Sequence, residues 1–300
     1  MKDNLALIEA GGTKFVVGIG GFDRQIRFRT RIETTFPEET ISRVTDWLLG
    51  HGPIAATGIA CFGPLDLDPD SPTWGYITRT TKQHWSMTDV AGAFGKALGC
   101  PVALDTDVNG AALAEWRWGA GQGAQSSLYL TVGTGIGGGA VVGGRLLGGL
   151  SHPEMGHLRL PRHPADHDFG GICPFHGDCL EGLASGPAIT ARWGASLSEL
   201  APDHEGHEII AWYLARAIST FQAVLEPSRI ILGGGVLETP GLLDRVRREA
   251  IAASGGYFVG DPGEIVVSPK LQNDAGLLGA LALIEQNLPG VRGDHGTSGG

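Results

Sequence analysis

The feature that most constrains the fold is a strand–turn–strand motif that occurs twice in this 300-residue chain. In both copies an apolar run leads into a turn rich in glycine and threonine, after which a second strand begins. The segments are Leu5–Ile8, Gly11–Thr13 and Phe15–Ile19 in the first copy, and Leu128–Val132, Gly133–Gly139 and Ala140–Val142 in the second. Two such motifs, far apart in the sequence, predict two halves of related topology that face one another.

The rest of the chain alternates between helical and extended patterns. Apolar residues recur with helical spacing in Thr40–Leu49, Trp85–Leu98, Val108–Trp116, Gly186–Trp193, His207–Leu225, Leu242–Ala253 and Asp274–Gln286. Short apolar runs predict strands at Ala55–Ala60, Val102–Leu104, Arg229–Leu232 and Glu264–Val267. Alternation of this kind predicts an α/β fold.

We place the domain boundary near Asp107. Residues 1–107 then form a small lobe and residues 108–288 a large lobe, and the last predicted helix returns to the small lobe. The segment from Pro289 to the end, residues 289–300, is polar and rich in glycine, which predicts a flexible tail. The crevice between the lobes is the natural place for a ligand.

The composition disfavours several classes of function. The formal net charge of −10 argues against nucleic acid and anionic membrane surfaces as partners. No apolar run reaches transmembrane length, and the N-terminal residues lack the pattern of a signal peptide. The four cysteines do not make a disulfide framework, so we expect a cytoplasmic protein.

A set of soft metal ligands lies between Glu154 and Glu181. This Cys/His cluster consists of His157, Cys173, His176 and Cys179, of which the last three form a C-x-x-H-x-x-C run. Nitrogen and sulfur ligands at such short spacing suit tetrahedral zinc, and four protein ligands indicate a structural site. The alternative interpretations are a disulfide between the two cysteines, or free thiols beside surface histidines. A metal here would also fix the direction of the two flanking carboxylates.

The glycine-rich turns are typical of phosphate binding. The chain has 49 glycines, which occur in short bursts at the ends of predicted strands. The two motif turns offer backbone N–H groups and threonine hydroxyls to phosphate oxygens, although each turn alone is also an ordinary tight hairpin. The P-loop pattern is absent, and the second turn leads into a strand, which argues against a Rossmann motif. Gly233–Gly235 follows a buried strand and is either a nucleotide cradle or a sharp turn.

Asp107 lies between a predicted strand and a predicted helix. A residue at such a junction commonly caps the helix. A carboxylate near phosphate-binding turns can also deprotonate a hydroxyl group, which would make Asp107 a catalytic base.

In combination these residues resemble the ROK family of sugar kinases, which have an actin-like, duplicated ribonuclease-H fold with two lobes around a central cleft. The resemblance covers nearly the whole chain and rests on Glu9–Lys14, Asp107–Asn109, Thr131–Gly137, Glu154–His157, Cys173–Glu181 and Ile231–Gly235. It implies an enzyme that binds a small sugar and ATP.

The resemblance also implies a role for each motif. Asp107 would be the catalytic base, and the Cys/His cluster would hold structural zinc. The implied sugar-binding residues are Gly63, Pro64, Glu154 and Glu181. The implied ATP-binding residues are Gly11, Gly12, Thr13, Lys14, Thr134, Gly135, Pro187, Gly233, Gly234 and Gly235. Magnesium would accompany the nucleotide, and the implied assembly is a homodimer.

Within the family the chain is similar to bacterial zinc-containing fructokinases. The similarity is carried by Phe62–Asp66, Gly75–Thr78, Lys82, Trp85, Ser151–His157 and Cys173–Gly182. Thr106 stands where glucokinase-like members carry asparagine, which argues against glucose. The implied reaction is the ATP-dependent phosphorylation of D-fructose at O6 to fructose 6-phosphate. The alternatives are another hexose kinase, for mannose, N-acetylmannosamine or glucose, or a non-catalytic sugar-binding regulator.

Overall fold

The computed structural model describes residues 4–292, which divide into two compact units. The first unit takes the chain up to Ala114, the short segment Gly148–His152 and the chain from Leu271 onward. The second unit takes Glu115–Leu147 and Pro153–Lys270. The division therefore falls inside the helix that Asp107 begins, and each unit is built from separate stretches of the sequence.

The first part of the chain forms a sheet with helices around it. Its elements are β1 (Asn4–Ala10), β2 (Lys14–Gly20), β3 (Ile26–Glu33), α1 (Pro37–Leu49), β4 (Ile54–Cys61), β5 (Tyr76–Ile77), β6 (Thr88–Asp89), α2 (Val90–Leu98), β7 (Val102–Thr106) and α3 (Asp107–Trp118).

The main sheet of the first unit has the order β3–β2–β1–β4–β7. β2 runs antiparallel to both β3 and β1, whereas β1, β4 and β7 are parallel to one another. β1 and β4 are almost continuous apolar runs because both faces of this part of the sheet are covered. β3 has no counterpart among the predicted strands, since its alternating charged residues resemble a loop; such charges are typical of a strand at the edge of a sheet.

The second unit adds a further sheet and most of the remaining helices. Its elements are β8 (Ser126–Val132), β9 (Ile136–Val142), β10 (Arg145–Leu146), α4 (Leu180–Ala184), α5 (Gly186–Trp193), α6 (Gly206–Leu225), β11 (Arg229–Gly233), α7 (Leu242–Ser254), α8 (Pro262–Ile265) and β12 (Val266–Val267). The chain then returns to the first unit as α9 (Ala275–Asn287).

The sheet of the second unit repeats the topology of the first. Its order is β10–β9–β8–β11–β12, in which β10, β9 and β8 are antiparallel and β8, β11 and β12 are parallel. Two sheets of one topology confirm that the two halves of the chain have related topology.

Each unit has its own apolar core. In the first unit α9 packs against β1 and β4, and Gly58 permits a very close approach. A Cβ at Gly58 would lie only 2.0 Å from the carbonyl oxygen of Ala280. In the second unit α6 is buried along most of its length and packs against α4 and α7.

The starts of two elements, β9 and α2, differ from the predicted ones. The second motif turn is shorter than predicted, because β9 begins at Ile136 and Gly137 already pairs with Thr131 of β8. Pairing with a neighbouring strand thus overrides the low strand propensity of glycine. The helix predicted from Trp85 begins only at Val90. Trp85 instead precedes the helix and is fully buried. Its indole N–H donates to the carbonyl oxygen of Thr35 at 2.8 Å.

The strand predicted at Glu264–Val267 is also shorter than expected. Its first half belongs to α8, which the Asp261 side chain caps, and only Val266–Val267 pair with β11. Within residues 4–292 the structure contains no helix that is both long and apolar enough to cross a membrane. Of the predicted tail, Pro289–Arg292 forms a single 3-10 turn, and residues 293–300 lie outside the described residues.

Candidate active site and metal centre

Three parallel strands of the first unit end side by side. The strand register pairs Ala10 of β1 with Cys61 of β4, and Cys61 with Thr106 of β7. The residues that follow these strand ends therefore lie along one edge of the sheet. They are the first turn (Gly11–Lys14), the segment Phe62–Pro64 and Asp107. In open α/β sheets this carboxyl edge is where ligands bind.

The first turn is held by a neutral hydroxyl group. The amide of Gly11 donates to the carbonyl oxygen of Lys14 at 3.1 Å. Thr34, which follows β3, donates its hydroxyl to the carbonyl oxygen of Gly11 at 2.7 Å and its amide to that of Thr13 at 3.0 Å. A Cβ on Gly12 would meet open space. With its carbonyl groups engaged in this way, the turn can present amides to an anion.

The segment with Gly63 and Pro64 is tied to residues far away in the sequence. The Gly63–Pro64 peptide bond is cis. The amide of Leu65 donates to Nε2 of His152 at 3.0 Å, and the hydroxyl of Ser151 donates to the carbonyl oxygen of Leu65 at 2.6 Å. A Cβ on Gly63 would lie 3.4 Å from the His152 ring. Ser151 and His152 therefore fix the backbone next to two predicted sugar-binding residues.

Asp107 is the first residue of α3 and follows β7 directly. Its carboxylate accepts the amide of Val108 at 2.9 Å. Burial, and secondly the charge of Asp107, raise the pKa of the Cys61 thiol, which places the carboxylate near the end of β4. The capping role open to Asp107 is carried out by Thr106, whose hydroxyl accepts the amide of Asn109 at 3.1 Å.

Asp105 supports this junction from within the unit. Its carboxylate accepts the amide of Thr106 and the side-chain amide of Asn109, both at 2.7 Å. Burial raises the pKa of Asp105, and these two hydrogen bonds oppose the rise. Asn109 is buried, so the pair fixes the start of α3 and with it the position of Asp107.

In the second unit the second turn, Gly133–Gly135, is held at both ends. The amide of Gly133 donates to the carbonyl oxygen of Gly135 at 2.9 Å, and the amide of Gly186 donates to the carbonyl oxygen of Gly133 at 2.8 Å. At the other end, the amide of Ile136 donates to Oε2 of Glu181 at 2.9 Å. A Cβ on Gly135 would lie 2.7 Å from the same carboxylate oxygen. The backbone groups at both ends of the turn thus have hydrogen-bond partners within the second unit.

The Gly233–Gly235 segment lies beside the second turn because β8 and β11 are neighbours. Gly234 has φ of 91°, and a Cβ there would lie 2.4 Å from the carbonyl oxygen of Val132, so only glycine fits. Pro187 follows Gly186 in the first turn of α5. The predicted ATP-binding residues that therefore gather around the carboxyl end of β8 are Thr134, Gly135, Pro187, Gly233, Gly234 and Gly235.

The four residues of the Cys/His cluster converge on one point. Their ligand atoms all lie within 4.8 Å of one another. Nδ1 of His157 is 3.4 Å from Sγ of Cys179 and 3.7 Å from Sγ of Cys173, which is also 3.7 Å from Nδ1 of His176. Ligands bound at about 2.0–2.3 Å around a tetrahedral zinc ion are about 3.5 Å apart, so this set fits zinc. Both thiols are free, so the alternative disulfide is absent.

Tight turns give the cluster its shape. Cys173 and Gly177 exchange amide-to-carbonyl hydrogen bonds of 3.1 and 2.9 Å. Gly182 packs against this turn so closely that a Cβ there would lie 1.9 Å from the carbonyl oxygen of Gly177. Cys179 is buried and precedes α4, and burial raises the pKa of its thiol to about 11. A metal ion that binds here would therefore have to displace a proton.

The carboxylates of Glu154 and Glu181 lie next to the cluster. Oε2 of Glu154 is 4.0 Å from Nε2 of His157, the ring nitrogen that faces away from the thiols. A carboxylate at that position commonly supports a zinc-bound histidine. Partial burial, and secondly the charge of Glu181, raise the pKa of Glu154. Glu181 lies in the first turn of α4, two residues after Cys179.

Several residues that shape the site carry no sequence signal strong enough to identify them. They are Thr34, Asp105, Asn109, Ser151, His152 and Gly186. Each acts through one or two hydrogen bonds to a backbone group that is close only in the folded chain. Asn109, Ser151 and His152 could have been found, because they belong to motifs that the sequence resemblance already includes.

The comparisons with known proteins cover both units. A family model described as the ROK family matches residues 5–287. The chain is 50% identical over 284 residues to the fructokinase of Zymomonas mobilis, which covers 92% of this chain and 94% of that protein. The crystal structure of the ROK hexokinase from Thermus thermophilus has a TM-score of 0.78 at 29% identity and covers 96% of this chain and 99% of the other.

A second solved structure is that of a ROK family glucokinase from Streptomyces griseus in complex with glucose and AMPPNP. It has a TM-score of 0.74 at 25% identity and covers 95% of this chain and 100% of the other. These structures confirm the predicted actin-like, duplicated ribonuclease-H fold. Since the family match spans both sheets and every motif at their strand ends, the chain belongs to the ROK family.

Proposed function

We propose that the protein is an ATP-dependent fructokinase that converts D-fructose and ATP into fructose 6-phosphate and ADP. The observation that carries the proposal is the position of Asp107 on the same sheet edge as the first turn and the Gly63–Pro64 segment. The choice of fructose is supported by the half-identical fructokinase of Zymomonas mobilis.

Asp107 is the general base in this proposal. It accepts the proton of the sugar O6 hydroxyl while that oxygen attacks the γ-phosphorus of ATP, and the bond to the β–γ bridging oxygen breaks to release ADP. Asp105 and Asn109 keep the start of α3 in place, so that the carboxylate of Asp107 need not reorganise during the transfer.

The two glycine turns bind the phosphates of ATP. The first turn contributes Gly11, Gly12, Thr13 and Lys14, and the second contributes Thr134 and Gly135. Pro187 and Gly233–Gly235 bind the adenosine side of the nucleotide. ATP enters as its magnesium complex, in which the cation offsets part of the phosphate charge.

The sugar is bound by backbone of Gly63 and Pro64 and by the carboxylates of Glu154 and Glu181. Charged acceptors of this kind contribute about 1.5–3 kcal/mol each when water is excluded. Thr106 supports the choice of fructose, because its hydroxyl is used to cap α3 where glucokinase-like members carry an asparagine.

The Cys/His cluster holds a structural zinc ion in this proposal. Its support is the convergence of four ligand atoms together with the carboxylate of Glu154 near the outer nitrogen of His157. A zinc ion with four protein ligands supplies stability and not chemistry.

A homodimer is also part of the proposal, and sedimentation velocity tests it.

An ATP-consumption assay with fructose, mannose, glucose and N-acetylmannosamine tests the proposed function. Fructose should give the highest kcat/KM, and phosphorus NMR of the product should show phosphorylation at O6. Glucose or N-acetylmannosamine as the better substrate would reassign the protein to another hexose kinase. If none of these sugars raised the ATP consumption of the wild-type protein above that of the Asp107→Asn variant, the protein would not be a sugar kinase.

A further inference from the structure

We propose that the zinc-binding segment sets the shape of the second turn through Glu181, so that this sugar-binding carboxylate and the metal also control ATP affinity. The inference rests on the proposed function, which assigns the nucleotide phosphates to the second turn. It adds a positioning role to Glu181, one that acts on the nucleotide and not on the sugar.

The first step is the direct bond between Glu181 and the second turn. Oε2 of Glu181 accepts the amide of Ile136 at 2.9 Å, immediately after Gly135. A charged acceptor makes a hydrogen bond roughly twice as strong as a neutral one. The same oxygen fills the space beside Gly135, where a Cβ would lie 2.7 Å away. Glu181 therefore fixes the direction of the Gly135–Ile136 peptide group. It also limits the space for a side chain at Gly135.

The second step is that one short stretch holds both ends of the second turn. The stretch begins at Glu181 and ends at Gly186, whose amide donates to the carbonyl oxygen of Gly133 at 2.8 Å. It is almost entirely the one-and-a-half-turn helix α4, for which the metal ligand Cys179 is the N-cap residue. A displacement of Cys179 is thus transmitted to Gly133 and Ile136 together.

The third step concerns the carbonyl group of Ile136, the residue whose amide Glu181 binds. Gly156 packs against it so closely that a Cβ would lie 1.8 Å from the carbonyl oxygen of Ile136. Gly156 directly precedes His157, another ligand of the cluster. The backbone of Ile136 is therefore contacted by two segments, one at its amide and one at its carbonyl group, and each segment carries a residue of the Cys/His cluster.

A metal ion in the cluster would join these two segments. His157 and Cys179 would each supply one ligand from its own segment, and their ligand atoms are 3.4 Å apart. Loss of the ion would allow the segments to separate, which would weaken the Glu181 bond and leave the amide of Ile136 without a fixed direction. The second turn would then bind phosphate less well, although no metal ligand touches the nucleotide.

Calorimetric titration with AMPPNP in the absence of sugar tests the direct bond. Glu181→Ala should weaken AMPPNP binding about 10-fold and Glu181→Gln about 3-fold, since glutamine offers only a neutral acceptor. Glu199→Ala and Glu199→Gln are the matched controls, because Glu199 is an exposed carboxylate of the same unit that accepts hydrogen bonds from Ser196; both should stay within about 2-fold of wild type. Equal AMPPNP affinity in wild type and Glu181→Ala would overturn the inference.

A double-mutant cycle with Gly135→Ala tests the contact from the other side. The added methyl group collides with Oε2 of Glu181, so Gly135→Ala should weaken AMPPNP binding in the wild-type background. In the Glu181→Ala background the methyl group enters vacated space, and the further loss should be much smaller. Additive losses would contradict a role for this contact.

Metal removal tests the link to the cluster. Chelation should weaken AMPPNP binding several-fold in wild type but add little in Glu181→Ala, with circular dichroism and metal content confirming folded, metal-free protein. The same loss in both backgrounds would refute transmission through Glu181. If fructose proves the wrong sugar but these losses of AMPPNP affinity are observed, the inference stands without the proposed substrate. Metal-loaded wild type that binds no AMPPNP would remove the proposed function and the inference together.

Discussion

The first and second turns occupy the same place in two sheets of one topology, yet they are anchored by different chemistry. The first turn depends on the hydroxyl and amide of Thr34, which follows a strand of the same sheet. The second turn depends on the carboxylate of Glu181, in the first turn of α4, and on the amide of Gly186, just after that helix; α4 itself follows Cys179 of the Cys/His cluster. The duplicated backbone thus provides two similar turns, and each unit stabilises its own by separate means.

The two units also differ at the strand that ends each parallel set. β7 has five residues and leads directly into α3, which presents Asp107. Its counterpart β12 has two residues and no α-helix begins directly after it. Only the first unit therefore has a carboxylate at a strand-to-helix junction of this kind within the described chain, whereas the second unit has the Cys/His cluster. The proposed chemistry is asymmetric although the topology is symmetric.

The largest expected effect separates chemistry from binding. Asp107→Asn should lower kcat about 10²–10⁴-fold, the usual contribution of a positioned base, while AMPPNP affinity and Tm change little. Steady-state kinetics with fructose, calorimetric titration and thermal unfolding measure the three quantities. A matched control is Asp105→Asn, which should lower Tm more than Asp107→Asn because Asp105 accepts two partly buried hydrogen bonds. Near-normal turnover of Asp107→Asn would exclude it as the base.

The sequence is sufficient to predict the existence of both motif turns and the four residues of the Cys/His cluster, because each is encoded in consecutive or closely spaced residues. Gly11–Thr13 and the C-x-x-H-x-x-C run have signals that do not depend on the rest of the fold. The same holds for the long amphipathic helix α6, whose predicted start differs from the observed one by a single residue.

The anchors of the turns could not be predicted in this way. Thr34 is an ordinary threonine until β3 brings it beside Gly11, and β3 itself has the sequence pattern of a loop. Glu181 was predicted only as a sugar ligand, because nothing in the sequence shows that β9 starts at Ile136 and directs its amide toward α4. Hydrogen bonds between residues distant in the chain depend on sheet register, which these patterns do not specify.

Metal removal should affect the second unit far more than the first. Purified protein should contain about one zinc ion per chain, and chelation or Cys173→Ser should lower Tm by about 5–10 °C. Hydrogen exchange should show lost protection in β8, β9 and α4, with β1, β4 and β7 unchanged. His176→Ala is a useful second variant because its side chain is exposed and its loss leaves no core cavity. Equal loss of protection in both sheets would contradict a local role for the metal.

A smaller effect should distinguish the two carboxylates of the second unit. Glu154→Gln should raise the KM for fructose about 10-fold through loss of a charged acceptor, with the KM for ATP nearly unchanged. Glu181→Gln should raise both constants, because Glu181 also holds the second turn. Steady-state kinetics with each substrate varied at saturating levels of the other separates the two cases. Identical patterns in both variants would mean that the carboxylates share one role.

The smallest expected effect concerns the neutral anchor of the first turn. Thr34→Val replaces a buried hydroxyl with a methyl group of similar size and leaves the carbonyl oxygen of Gly11 without that donor. Such a loss costs about 1 kcal/mol, so the KM for ATP should rise about 5-fold, and Thr34→Ser should restore it. Because Thr34 lies in the first unit and the Cys/His cluster in the second, the two effects should be independent. The ratio of the KM for ATP of Thr34→Val to that of wild type should therefore be the same before and after chelation. A Thr34→Val effect that disappears in metal-free protein would show that the two turns are not anchored independently.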